Sequence, residues 1–216
     1  RYRECLEGSL DSIQLGDFSI KAEDFTLPEG MPEGDHRILL GNHDHYGCIK
    51  PEEWSRRRGS TCWACRGVAL AREGTSRDIL HRWGLLKGTP VGRIFYVSGA
   101  ESPDRLRRTE GQDWWREEEL TFSQARECLD ELETSIGDLN NPINIVVSHD
   151  CPSRVAQMMH GYNDKPTFTR QLLQEMWEIH KPNLWVFGHH HRSETIHFEG
   201  TTFRCLDEGE FIDIYP

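Results

Sequence analysis

Gly16-Asp17, Gly41-Asn42-His43-Asp44, Ser148-His149 and Gly188-His189-His190-His191 follow one another in that order along a chain of 216 residues. Each sits at the exit of an apolar run or a loop. Asp, Asn and His supply hard and borderline oxygen and nitrogen ligands. Gathered at the ends of neighbouring strands, they suit a metal site better than a packed core. In α/β sheets the ligand-bearing loops cluster at the carboxyl ends of strands. A glycine just before a ligand lets the backbone turn where a side chain must face a crowded centre, and Gly16, Gly41 and Gly188 fit that role. Taken singly, Gly16-Asp17 reads as a turn, Ser148-His149 as a cap, and the Asn42 block as a hydrogen-bonded loop. His189 and His191 stand at i and i+2 of an extended segment and so face one way, with His190 facing away. The four motifs in order read as a metal centre, and paired first-row metals commonly hydrolyse phosphate esters.

The segments between the motifs alternate. A short helix is expected over residues 3–10, a strand over 12–15 and another over 38–40. Residues 21–36 read as loop. Residues 46–92 are an irregular insertion with weak helical periodicity at 78–86. A strand is expected over 94–97, then a polar loop over 98–112. An amphipathic helix follows over 121–134, with Thr121 or Ser123 as its cap. Ile143 to Val147 and Leu184 to Phe187 read as buried strands. They flank a helix over 167–180 that Pro182 stops. The tail alternates in a β manner over 195–198, 201–206 and 211–215. Strands alternating with helices, then a run of strands, imply an α/β layered fold. One domain over 1–216 is the default for this length.

The net charge is −11. Coating nucleic acid by phosphate neutralisation needs a basic face, which weighs against a nucleic-acid partner and leaves a nuclease open only through Arg56-Arg57-Arg58. A small phosphorylated substrate or a phosphoprotein stays compatible, because bound dications reverse the local sign. No apolar run approaches the ~18 residues of a membrane span, so no membrane is expected. The seven cysteines are irregularly spaced, which fits a reducing cytoplasm and buried thiols better than a disulfide framework. Cys62-x-x-Cys65 reads as a loop around Trp63 rather than a zinc knuckle, which needs four ligands.

These blocks resemble the calcineurin-like metallophosphoesterase superfamily. Its pattern is Asp-x-His, Gly-Asp, Gly-Asn-His-Asp or -Glu, a lone His, and Gly-His-x-His. Four of the five blocks are present. The stretch from Ser98-Gly99-Ala100 through Arg108 to Asp113-Trp114-Trp115 is similar to a bacterial and phage-type branch. The resemblance implies a four-layer αββα sandwich and two divalent metals, manganese first among Mn, Fe, Zn and Ni. It implies a phosphomonoester or phosphodiester cleaved by a metal-activated water. By motif, Asp17 bridges the metals, Asn42, His149 and His189 complete the second metal's ligand set, and His191 binds the first metal. His43 is the acid, and Asp44 holds its ring in one tautomer. Arg105 and Arg108 are candidates to clamp a phosphate, and His45 to line the substrate pocket.

The Asp-x-His block is absent, and the sheet's first strand with it. Relatives carry a helix like Arg1–Leu6 just after that block. The expectation is either upstream residues beyond this sequence, which is favoured, or loss of the first metal's shell. The second case leaves a non-catalytic scaffold of the same fold that binds a partner at the pocket edge.

Overall fold

The computed structural model describes residues 11–17, 36–44, 46, 79–80, 82–162 and 164–216. Two sheets organise them. The smaller holds β1 (Ser12–Leu15), β2 (His36–Leu39) and β3 (Ile79–Leu80), all parallel. The larger holds β4 (Trp83–Thr89), β5 (Gly92–Val97), β6 (Ile143–Ser148), β7 (Leu184–Phe187), β8 (Glu194–Phe198) and β9 (Thr201–Cys205), in the order β4-β5-β6-β7-β9-β8. Its four central strands run parallel and its two edges antiparallel.

Three helices cover one face of the large sheet: α1 (Phe122–Ile136), α2 (Ser153–His160) and α3 (Phe168–Ile179). Thr121 and Gln124 cap α1 reciprocally, each side chain taking the other's backbone N–H. Ala125, Cys128 and Leu132 recur at helical spacing on its buried face. The Thr167 hydroxyl caps α3 by accepting from the Arg170 N–H. The core under these helices is large and aromatic. Trp177 stacks on Phe198, Trp185 stacks on Phe203, and Trp185, Phe187 and Phe203 are fully buried. Side chains of this size each contribute about 1.5–3 kcal/mol by leaving water.

The other face of the large sheet presents Ile94, Ile145, Val147 and Val186, against which Ile13 and Leu15 of the small sheet pack. Helices, large sheet and small sheet are thus three stacked layers among the described residues. This is the mixed α/β architecture of the expected sandwich. The expected helix at 3–10, Arg56-Arg57-Arg58, Cys62 and Cys65 lie outside the described residues, as does most of the 46–92 insertion.

Two local expectations are corrected. Residues 79–80 and 83–86 are strands, not helix: Ile79 and Leu80 pair parallel with Ile38 and Leu39, and Trp83, Leu85 and Leu86 pair antiparallel with Val97, Phe95 and Ile94. Cross-strand packing overrides weak local periodicity there. Residues 211–215 form no strand. Ile212 and Ile214 pack inward while Phe211 and Tyr215 face solvent, so the alternation is real but has no ladder. Cys128, Cys151 and Cys205 are free and buried, as their role of small apolar side chains requires. No helix among the described residues is long and apolar enough to cross a membrane.

Candidate metal centre

The carboxyl ends of β1, β2, β5, β6 and β7 open on one crevice. Backbone bonds draw their exits together: His149 N–H donates to Val97, Gly188 N–H to His149, and Gly99 N–H to Leu40. The approach is close enough to exclude a side chain at two glycines. A Cβ on Gly16, at φ +99°, would come within 2.3 Å of His149 Nδ1, and one on Gly41 within 2.3 Å of Asp17 Oδ1. Gly188 is different. Its nearest neighbour would be at an ordinary 3.7 Å, and the sharp turn falls on His189 instead, at φ 65°. Asp17 and His191 are also left-handed, at φ 54° and 49°. Such conformations are uncommon for non-glycine residues and gather at functional sites.

Asp17, Asn42, His149 and His189 meet here. Asn42 Oδ1 lies 3.1 Å from His149 Nε2 and 3.0 Å from His189 Nδ1. Asp17 Oδ1 lies 3.3 Å from His149 Nε2 and accepts the His43 backbone N–H at 2.9 Å. The His149 ring is oriented from behind, since its Nδ1–H donates to the Leu15 carbonyl at 2.6 Å. That leaves Nε2 as the atom facing the two oxygens. Burial alone would raise the Asp17 carboxyl, but His149 and the His43 N–H hold it well below the usual carboxylate range. Burial opposes charge on His149, yet Asp17 and the Leu15 carbonyl raise its pKa above the ordinary histidine value. Burial pushes His189 down to about 3, so that ring is a neutral donor of a lone pair.

The donor set fits a divalent cation. Asp17, His149 and His189 offer ligand atoms within 4.8 Å of one another, and the Asn42 oxygen points among them. Among the described residues no lysine or arginine pairs with these four. Oxygen and nitrogen lone pairs facing each other at about 3 Å repel unless a proton or a metal stands between them.

The other expected residues are arranged differently. His191 lines the crevice, with its Nδ1 held by Glu208 at 2.6 Å. A histidine bonded to a carboxylate through one ring nitrogen presents the other for ligation. His190 faces away from Asp17, as its place in the motif suggests, and joins a separate group described below. Asp44 does not hold the His43 ring. Its buried carboxylate accepts from the backbone N–H groups of Gly41 at 2.7 Å and Asp17 at 3.1 Å, and so ties two strand exits together. Its other oxygen has no partner among the described residues, and burial pushes the acid up to about 6. The group that does touch the His43 ring is Arg108, 3.4 Å from Nδ1 through both terminal nitrogens. Asp104 and the Asp113 carbonyl brace that guanidinium. Arg105 instead lies over the Trp114 ring and beside Glu101. His45 lies outside the described residues.

Residues 11–193 match the family model for calcineurin-like phosphoesterases. The chain belongs to that family. It is a family of hydrolases whose members typically bind two divalent metals. No curated protein matches this chain.

Beside these residues the calcineurin-like phosphoesterase crevice carries a second polar group that the motifs did not announce. Asp150, fully buried, accepts from Arg170 Nε at 2.9 Å, from His190 Nε2 at 2.9 Å and from the Cys151 N–H at 2.8 Å. His190 Nδ1 meets His160 Nε2 at 2.8 Å, at the crevice lining. Arg170 also binds Asp164 at 2.6 Å. The sequence signal for Asp150 was its place beside His149; nothing local marked Arg170, which lies on a helix twenty positions later.

Proposed function

We propose that this protein hydrolyses a phosphate ester, a phosphomonoester or a phosphodiester, with the help of two divalent cations, manganese first among the candidates. The observation that carries the reading is the Asn42 oxygen set within 3.1 Å of two imidazoles beside the Asp17 carboxylate, with no lysine or arginine paired to them among the described residues. Asn42, His149 and His189 would hold one cation, Asp17 would bridge, and His191 would serve the other. Bound there, the cations supply Lewis acidity, activating water and neutralising charge on the phosphoryl oxygens.

The chain's own residues supply position and a proton. Arg108 only donates, so His43 Nδ1 accepts and the ring proton resides on Nε2. That proton is the one to share with the ester oxygen as its bond breaks. Asp44 fixes the spacing of Gly41 and Asp17 and thereby the ligand oxygen. The substrate is a small phosphorylated molecule or a phosphoprotein, in keeping with a net charge of −11.

Replacing Asn42 or His189 with Ala and assaying p-nitrophenyl phosphate and bis-p-nitrophenyl phosphate with added Mn²⁺ tests this. Turnover should fall by more than the roughly 10–100-fold typical of losing an outer partner of a metal ligand. Unchanged turnover in both variants would end the proposal.

A further inference from the structure

The Asn42 amide has two faces that differ only in which atom is oxygen, and only the oxygen can bind a cation. What decides its orientation is a buried chain of hydrogen bonds behind it. Asn42 Nδ2 donates to Ser102 Oγ at 3.2 Å. Ser102 Oγ–H donates to Glu118 Oε2 at 2.8 Å. Glu118 Oε1 accepts from the Ser102 N–H at 2.8 Å and from Trp114 Nε1 at 2.7 Å. Asn42, Ser102 and Glu118 are each at most 2 % exposed, so water does not compete for these partners.

The chain has a direction. An ionised carboxylate only accepts, so the Ser102 hydroxyl must give its proton to Glu118. Its oxygen is then left as an acceptor toward Asn42. The amide must meet it with NH₂, and Oδ1 is driven into the crevice between His149 and His189. We propose that Glu118, acting through Ser102, fixes which atom of Asn42 faces the metal centre and so sets its cation affinity. Glu118 is a positioning residue in this scheme, and the scheme rests on the crevice being a cation site.

Glu118→Gln reverses the direction without changing the volume. The two N–H donors from Ser102 and Trp114 pin the remaining side-chain oxygen of the glutamine. Its NH₂ therefore lands on Ser102 Oγ. The hydroxyl must then point its proton at Asn42, which favours the flipped amide with NH₂ in the crevice. Ser102→Ala removes the link but imposes no direction, so a cation can still draw the oxygen inward.

The experiment is Mn²⁺ binding to the full chain, read by the electron paramagnetic resonance of free Mn²⁺, with thermal melts of each metal-free variant alongside. Affinity should fall roughly 10–100-fold in Glu118→Gln, the range for outer partners of metal ligands, and by less in Ser102→Ala. A purely structural role predicts the reverse order, since the glutamine keeps the packing and the alanine does not. Equal affinity in wild type and Glu118→Gln, or a larger loss in Ser102→Ala, overturns the inference and leaves the proposed function standing. A wild-type chain that binds no Mn²⁺ overturns both.

Discussion

Two clusters of metal-ligating side chains lie side by side in this crevice, and they have opposite electrostatics. Asp17, His149 and His189 form one; Asp150, Cys151 and His190 form the other. Each combines a carboxylate with imidazole, and the loops after β6 and β7 feed both. The difference is the cation. Arg170 lies against Asp150, and with His190 and the Cys151 N–H it fills that carboxylate's acceptor sites. Burial works against the Asp150 charge, but His189, His190 and Arg170 hold its pKa far below the usual range. The first cluster has no such cation among the described residues. A ligand-rich cluster that has already acquired a guanidinium is a structural joint, here tying α3 to the loops after β6 and β7. The cluster that lacks one is the one we propose for the metal.

The contrast can be broken in several ways. The largest expected effect is on stability. Asp150→Asn leaves the Arg170 charge buried with only Asp164 beside it, and should cost about 3 kcal/mol in urea unfolding, near the lower end for a broken buried pair. A loss no larger than that of a surface substitution would remove the structural reading of the second cluster. Next is cation affinity. Asp17→Asn should weaken Mn²⁺ binding by more than about 100-fold, beyond the effect of an outer partner, while His190→Gln should leave it nearly unchanged. The opposite pattern would exchange the roles of the two clusters.

The pH dependence of the metal-free chain sharpens the comparison further. The raised His149 pKa contributes stability that is present below the ordinary histidine value and is lost as pH rises through the folded value. The lowered Asp17 pKa contributes stability that is present above the ordinary carboxylate value and is lost only in strong acid. Asp44, raised to about 6, withdraws stability as pH climbs from its ordinary value to that point. His189, lowered to about 3, does the reverse and adds stability as pH climbs from there to the ordinary histidine value. The metal-free protein should therefore lose stability as pH rises above the ordinary histidine value, where His149 alone of these groups still differs from the unfolded chain. Mn²⁺ should restore it by mass action. Melts that are flat with pH, or unmoved by Mn²⁺ at the higher pH, would contradict the first cluster's assignment. The smallest effect concerns Arg108, whose guanidinium touches the His43 ring. Arg108→Gln should lower kcat about tenfold, a fraction of the roughly 10²–10⁴-fold available from general acid catalysis, with KM little changed. No further loss should appear on top of His43→Ala. An additive loss would return Arg108 to the role of a phosphate clamp.

Much of the frame was legible before any coordinates. Apolar runs placed β6 and β7 within a residue or so, because a buried parallel strand needs a nearly continuous apolar run, and Gly16 marked the end of β1. The capping pattern at Thr121 and the stop at Pro182 placed α1 and α3. The hairpin of β4 and β5 was not legible. Its pairing partners are a tertiary fact, and the local pattern of residues 78–86 pointed elsewhere. Helix α2 was missed for the same reason, since its buried Val155, Ala156 and Met159 are too short a run to outweigh their polar neighbours.

Within the crevice, the sequence by itself determined the inventory: a carboxylate, an amide and imidazoles delivered at strand exits, with Gly16 and Gly41 making room. It did not determine their partners. His189, His190 and His191 are consecutive and chemically identical, yet one turns to Asn42, one to Asp150 and one to Glu208. Arg108 reaches a ring sixty-five positions earlier, and Glu118 acts on an amide through a hydroxyl that neither motif contains. A side chain's protonation and direction are fixed by the groups that meet it in space. Those groups come from distant parts of the chain, so only the tertiary structure could say which histidine meets Asn42 and which holds a helix in place.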